Sequence, residues 1–229
     1  MLAAQTDASA RATAARPIEM RTASAVVADD IRTQILQGTL AGNTRVLQDE
    51  VATRMGVSQM IVREAFKQLV SEGFLRSEPR RGVSVSELSY EDASELAQLR
   101  SAIEVQALEA AIPKLSKEDL ADAELILNQL ETAQSSEDVL RLNALFHDRL
   151  YAASRRERTT GLITMLRLSF DRYFRFVRDE TGHFPKSQKE HRKLLKLCRE
   201  GRVPEATALL RAHILGTAQA LAQKFTASD

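Results

Sequence analysis

The stretch from Leu47 to Gly73 constrains the fold more than any other part of the chain. It predicts one helix, a tight turn at Gly56-Val57, and a second helix that the Ser58 hydroxyl caps. Apolar side chains recur at helical spacing on one face of the second helix: Val62, Phe66, Leu69 and Val70. Polar side chains four residues apart form another face: Gln59, Arg63 and Lys67. One face therefore packs against the protein, and the other is free to contact a partner.

Two helices joined by so short a turn fit the helix-turn-helix motif, whose second helix lies in the major groove of DNA. Gln59 and Arg63 suit base edges, because Gln pairs with adenine and Arg with guanine through two hydrogen bonds. An ordinary amphipathic surface helix is the alternative, since it also places polar residues four positions apart. The following residues favour DNA binding: segments 74–77 and 83–86 predict a β-hairpin, or wing, with a basic tip.

Helix, turn, helix and wing together resemble the winged-helix domain of GntR-family bacterial transcription regulators. The resemblance rests on Leu47, Glu50, Val51-Ala52, Met55-Gly56-Val57-Ser58, Val62-Arg63-Glu64-Ala65, Leu69, Glu72-Gly73, Pro79 and Arg81-Gly82-Val83. By position, it implies DNA contacts from Ser58, Gln59, Met60, Arg63 and Gly82. Lys67 on the same helix and Arg81 at the wing tip add positive charge. Gln59 and Ile61 stand where the family usually has Arg and Pro or Thr, so the operator sequence does not follow from the family.

Length and helical patterning predict a mostly α-helical protein with two domains. In the 229-residue chain we expect a disordered arm at residues 1–21, a winged helix-turn-helix domain at 22–86 and a linker at 87–90. Residues 91–226 predict an antiparallel all-α bundle of six helices. Those helices span residues 91–111, 117–132, 136–154, 159–177, 185–200 and 204–224.

Net charge and cysteine content limit which partners and which cellular compartment we expect. The formal net charge of +1 does not mark a nucleic-acid binder, so attraction to DNA must come from where the basic side chains lie. The single cysteine, Cys198, excludes an internal disulfide framework and suits a small buried position in a reducing compartment. No apolar run approaches the length of a membrane span. We therefore expect a cytoplasmic protein.

Three histidines in the second domain have spacings that suggest a common site. His147 lies one helical turn after Asn143, so both side chains project from the same face. His191 and His213 each lie about 15 Å along a helix from the same predicted hairpin turn, which places them level with each other. Three imidazoles and an amide oxygen suit one divalent ion. An ordinary core or surface histidine is the alternative, and we prefer that interpretation for His183, which falls in a predicted loop.

Residues from about Glu91 to Phe225 resemble the all-helical FCD effector domain of the FadR branch of the GntR family. The residues that carry the resemblance are Leu99-Arg100, Glu104, Phe146-His147, Glu190-His191, Glu205-Ala206 and His213. The resemblance implies a zinc or nickel ion on His147, His191 and His213, with Asn143 where the family has Asp. It also implies that Arg100 pairs with an effector carboxylate; an ordinary salt bridge to Glu104 is the alternative.

The sequence favours a homodimeric transcription regulator that binds a palindromic operator in double-stranded DNA and senses a small organic acid. A regulator in which the metal itself is the signal is the second hypothesis. A metal-dependent hydrolase is the third, because three histidines with an open position on the ion can activate water. No acidic residue near the histidines has the obvious placement of a general base, so we expect no catalytic residues.

Overall fold

A computed structural model describes residues 22–78, 82–180 and 184–225 of the chain. The predicted arm at 1–21 lies outside this part. The helix-turn-helix is confirmed: α1 spans Ala23–Leu36, α2 Gln48–Met55 and α3 Gln59–Ser71. Gly56 adopts the left-handed backbone, φ 66°, that the tight turn requires. The Ser58 hydroxyl accepts a hydrogen bond from the Ile61 amide at 3.4 Å and so caps α3, the reading helix.

The wing is a three-stranded antiparallel sheet of β1 (Arg45–Val46), β2 (Leu75–Glu78) and β3 (Gly82–Val85), in the order β1-β3-β2. The hairpin of β2 and β3 confirms the sequence prediction. Strand β1 was not predicted, because two residues are too few to show an alternating pattern. Arg45 pairs with Ser84, so β1 closes the free side of β3.

The reading helix is fixed by one buried face. Val62, Phe66 and Leu69 lie in the core of the N-terminal domain, as predicted. Val70 is exposed instead, and Ala65 takes the fourth buried position. At about 100° per residue, Ala65 and Val70 flank opposite sides of the same stripe, and only the Ala65 side is buried.

The rest of the described chain forms the predicted six-helix bundle: α4 Tyr90–Ala111, α5 Lys117–Thr132, α6 Ser136–Ala152, α7 Glu157–Glu180, α8 Phe184–Arg199 and α9 Val203–Phe225. One short 3-10 turn, Ile112–Lys114, follows α4. Ser89, Ser116 and Ser135 cap α4, α5 and α6 through their hydroxyls. Cys198 is buried as predicted, and burial raises the pKa of its thiol to about 12.

Helix α7 joins the bundle to the end of the reading helix. The Ser169 hydroxyl donates to the Glu72 carbonyl at 2.6 Å, and Arg172 Nη1 donates to the Gly73 carbonyl at 2.7 Å. Arg172 also pairs with Asp92 on α4. In the described part of the chain, no helix combines the length and the apolar composition that crossing a bilayer requires.

Candidate functional site

The reading helix presents its predicted contact face to solvent. Four residues on this face are exposed: Gln59, Met60, Arg63 and Lys67. Met60 is 65% exposed. This exposure follows from the opposite face, where three large apolar side chains hold α3 in the core. The first two turns of α3 are therefore accessible to a partner.

The polar side chains on that face differ in what they contact. Gln59 Nε2 donates to Asp49 Oδ1 at 2.6 Å, and Lys67 pairs with Glu64 at 2.9 Å. Arg63 makes no hydrogen bond or salt bridge with the residues that the structure describes. The Arg63 guanidinium can therefore contact DNA without breaking such an interaction, whereas Gln59 must first leave Asp49 and Lys67 must first leave Glu64.

At the wing, Gly82 is exposed and has φ 89°, a conformation that favours glycine. The Arg45 guanidinium lies beside it, 3.7 Å from where a Cβ on Gly82 would be. Sequence reasoning missed Arg45, because its place beside the wing depends on the unpredicted strand β1. Arg81 and His183 lie outside the described residues, so their sequence interpretations remain predictions.

The three histidines of the bundle meet, although they come from three helices. His147 on α6, His191 on α8 and His213 on α9 are buried, and one ring nitrogen from each lies within 4.8 Å of the others. The Nε2 atoms of His147 and His191 are 3.3 Å apart. Asn143 lies half-buried one turn before His147 on α6. The juxtaposition that the helical spacings predicted is confirmed.

The Nδ1 atom of each imidazole lies within hydrogen-bond distance of a side-chain oxygen. Tyr151 Oη lies 3.3 Å from His147 Nδ1, Gln188 Oε1 lies 3.4 Å from His191 Nδ1, and Glu190 Oε2 lies 2.9 Å from His213 Nδ1. Because Nδ1 already has an oxygen partner in each ring, Nε2 is the nitrogen left to face a metal, although the Nε2 atoms of His147 and His191 contact each other here. Oxygen partners of this kind orient histidine ligands around a metal. Tyr151, four residues after His147, is a member of the site that sequence reasoning missed.

Burial sets the charge of the cluster. It lowers the pKa of His147 and of His191 well below the usual value, and the neighbouring imidazoles lower both further. Both rings are thus neutral near pH 7, which is the form that binds a metal. Three convergent imidazole nitrogens fit a divalent ion such as zinc or nickel.

Arg100 belongs to the same buried network. Its Nε donates to Glu104 Oε1 at 2.8 Å, and Tyr151 Oη donates to Glu104 Oε2 at 2.9 Å. The guanidinium also lies over the Phe170 ring, 5.1 Å from its centroid. The terminal nitrogens of Arg100 make no hydrogen bond within the described residues. Arg100 therefore makes the salt bridge with Glu104 and still offers two donor groups to an anion.

Arg167 on α7 is a second buried cation near the histidines, and the sequence did not separate it from the other arginines of that helix. It donates to the Ala144 carbonyl at 3.0 Å and to Asp148 at 2.8 Å. Its positive charge contributes to the lowered pKa of His147. Arg100 and Arg167 thus both place positive charge near His147, a setting that favours an anionic ligand.

Comparison with known proteins agrees with both parts of the chain. Residues 23–85 match the family described as "Bacterial regulatory proteins, gntR family", and residues 95–216 match the FCD domain family. The uncharacterized HTH-type transcriptional regulator YdhC of Bacillus subtilis is 26% identical over 191 residues, covering 81% of this chain and 84% of YdhC. The regulator McbR of Escherichia coli is 30% identical over 131 residues, 56% of this chain and 59% of McbR.

Solved structures give the same result. The E. coli McbR/YncC structure superimposes with a TM-score of 0.75 at 22% identity, covering 90% of this chain and all of that one. A GntR family regulator from Pseudomonas syringae is 34% identical, with a TM-score of 0.56 over 90% of this chain and 87% of its own. These relatives are described as transcriptional regulators, not enzymes. The chain belongs to the GntR family of bacterial transcriptional regulators and carries a C-terminal FCD domain.

Proposed function

We propose that this regulator reads its operator with the exposed face of α3 and responds to a small carboxylate bound beside a metal ion in the bundle. The buried histidine triad carries the second half of this proposal, because each of its rings is held by an oxygen partner at Nδ1. An inert dimerisation bundle would not need three convergent imidazoles next to two arginines.

On the DNA side, we assign base and backbone contacts to residues at the start of α3 and at the wing: Ser58, Gln59, Met60, Arg63, Lys67, Arg81 and Gly82. Arg45, beside Gly82, is placed to add a phosphate contact. In a homodimer, two reading helices would enter successive major grooves about 34 Å apart, which suits a palindromic operator. An effector regulates such a complex only if it binds one arrangement of the reading helices more tightly than the other.

The first prediction concerns Arg63. Arg63→Ala should weaken operator binding roughly 10- to 100-fold, because a bidentate Arg–guanine contact contributes about 1–3 kcal/mol of discrimination. The measurement is fluorescence anisotropy with a duplex selected from a random pool by the wild-type protein. Arg202→Ala, in the turn between α8 and α9, is the matched control and should bind like wild type. Unchanged affinity of the Arg63 variant would remove this side chain from the groove.

On the effector side, His147, His191 and His213 would hold the ion through Nε2, and the Asn143 amide oxygen is the fourth protein donor that we assign. The ion supplies positive charge and open coordination positions. Arg100 then pairs with the ligand carboxylate through its terminal nitrogens. Since Asn143 is neutral, it would leave the full double charge of the ion to attract an acid, whereas an aspartate would cancel part of that charge.

The second prediction compares Asn143→Asp with wild type. The variant should hold zinc or nickel more tightly and bind carboxylates more weakly, because its added negative charge attracts the cation and repels the acid. Metal content of protein never exposed to chelator, and thermal shifts with acetate, succinate and benzoate, measure both effects. Gln98→Glu, on the exposed side of α4, is the control. The proposed site would be contradicted if the wild-type protein contained no stoichiometric metal and Asn143→Asp bound acids as the wild type does.

Operator affinity measured with metal alone, and with metal and acid together, distinguishes an acid sensor from a metal sensor. If zinc or nickel alone changes operator affinity as strongly as metal and acid together, the ion is the effector. If the acid is required, the ion serves as part of the binding site.

A further inference from the structure

Met60 is a large apolar side chain that points away from the protein at the start of the reading helix. It is the second residue of α3 and is 65% exposed. Its apolar neighbours Val57 and Ile61 behave differently, because both pack against the core of the DNA-binding domain. Single exposed apolar side chains are common on protein surfaces, so exposure alone assigns no role to Met60. Its position on α3 is the more informative property.

That position faces the bases when α3 lies in the major groove. Side chains at the N-terminal end of a reading helix are the ones that contact base edges. Met60 lies three residues before Arg63, so the two side chains are neighbours on the helix surface. Gln59 Nε2 is bonded to Asp49, whereas Arg63 makes no hydrogen bond or salt bridge with the described residues. Met60 and Arg63 can therefore approach DNA without breaking a polar contact.

The major groove offers an apolar side chain one kind of apolar group, the C5-methyl of thymine. Cytosine has a hydrogen atom at the same position and a polar amino group beside it. Guanine and adenine present O6, N7 and N6, which would lose hydrogen bonds to water without gaining any from a thioether. The unbranched side chain of Met60 can adapt its shape to a methyl group. Of the four bases, thymine therefore fits Met60 best.

We infer that Met60 selects thymine in the operator through the C5-methyl group, at a position within about two base pairs of the guanine that Arg63 reads. The inference rests on the proposed reading of DNA by α3, and it adds the base and the chemical group that Met60 recognises. The spacing follows from the helix: three residues rise about 4.5 Å, and successive base pairs are about 3.4 Å apart.

Replacement of thymine by deoxyuridine tests the inference, because it removes the methyl group and leaves the pairing edge intact. Each thymine of a duplex that the wild-type protein selects from a random pool is replaced singly, and fluorescence anisotropy with the full chain gives the affinity. One replacement in a half-site should weaken binding about fourfold, the effect of losing one buried methyl-sized group.

The guanine read by Arg63 is located in the same duplex with 7-deazaguanine, which lacks the N7 acceptor. At that guanine the analogue should weaken binding of the wild type and have no effect on Arg63→Ala. The methyl-sensitive thymine should lie within two base pairs of it.

Variants of Met60 separate a direct contact from an effect of the methyl group on DNA shape, which would be the same for every variant. Met60→Gln keeps the length of the side chain and makes it polar, so it should abolish the methyl effect. Met60→Leu remains apolar and should retain most of it. Because Met60 is exposed, neither variant disturbs the core. Leu125→Gln makes the same kind of change at a residue of α5 that is 58% exposed, and it should keep the full effect.

The possible outcomes distinguish this inference from the proposed function. If the wild-type protein selects no duplex, both are overturned. If it selects a duplex that is insensitive to every thymine methyl group, the role of Met60 is overturned and reading by α3 stands. The same holds if the methyl effect persists in Met60→Gln, or if it falls more than two base pairs from the guanine that Arg63 reads.

Discussion

Asp171 is a carboxyl group placed where its charge is costly. It lies on α7, half-buried, and the charged groups that act on it are Arg100 on α4, Arg167 on its own helix and Arg32 on α1. Burial raises the pKa of Asp171 to about 7, although the three arginines act in the opposite direction. The group therefore titrates near neutral pH.

The third prediction concerns the pH dependence of stability. The folded pKa of Asp171, about 7, lies above the ordinary value of 3.8, so the folded state binds more protons between these limits. Its contribution is therefore favourable at low pH and is lost as the pH rises toward 7. Asp171→Asn should be more stable than wild type at pH 8, by about 1–2 kcal/mol once partial exposure is discounted. That advantage should shrink toward pH 5.

Urea unfolding at several pH values between pH 5 and pH 8 measures the effect. Glu137→Gln removes an exposed carboxyl group from the first turn of α6 and serves as the control. An advantage of Asp171→Asn that stays constant across this range would mean that the Asp171 carboxyl does not titrate there.

The site residues differ in how far the sequence could predict them. Asn143 and His147 share a helix, so their spacing placed both on one face. His191 and His213 flank one hairpin turn, which fixed their common level. Arg45 and Arg167 could not be predicted, because each acquires its role from a neighbour on another element. Local geometry is encoded in spacing, whereas a tertiary contact is not.

At the scale of elements, capping and periodicity made the helices predictable. Serine residues begin four of them, and the bundle helices end within about one turn of the predicted positions. Two elements were missed: strand β1, which exists only because β3 pairs with it, and the 3-10 turn at Ile112–Lys114. Both are too short to carry a periodic signal, so only the assembled fold defines them.

Helix α7 is the element that links the two domains. Arg167 and Phe170 belong to the buried network around Arg100 and His147, while Ser169 and Arg172 bond to the carbonyls of Glu72 and Gly73. Those carbonyls belong to the end of the reading helix, where backbone acceptors lack partners within the helix. One helix thus contacts both the buried network around the histidines and the end of α3.

In the whole molecule, we expect this arrangement to make operator affinity depend on the bundle. A ligand that shifted α7 would change the hydrogen bonds at the end of the reading helix, and by linkage DNA would then change ligand affinity by the same factor. The coupling must pass through specific contacts, because a ligand with equal affinity for both arrangements shifts nothing. The Ser169 hydroxyl is the smallest of these contacts and can be removed without changing a charge.

The last prediction is that Ser169→Ala weakens this coupling. The test ligand is the acid that gives the largest thermal shift with wild type. The variant should bind this acid with wild-type affinity, because Ser169 is not among the residues that we assign to acid or metal binding. The acid-dependent change in operator affinity should fall by about 2- to 10-fold, the effect of one hydrogen bond of 0.5–1.5 kcal/mol. Anisotropy titrations with and without the acid, in metal-loaded protein, measure it. Thr164→Ala is the control: this hydroxyl lies on the same helix and, among the residues described, donates only to the Thr160 carbonyl, so its loss should preserve the coupling. Full coupling in Ser169→Ala would show that the signal reaches the reading helix by another route.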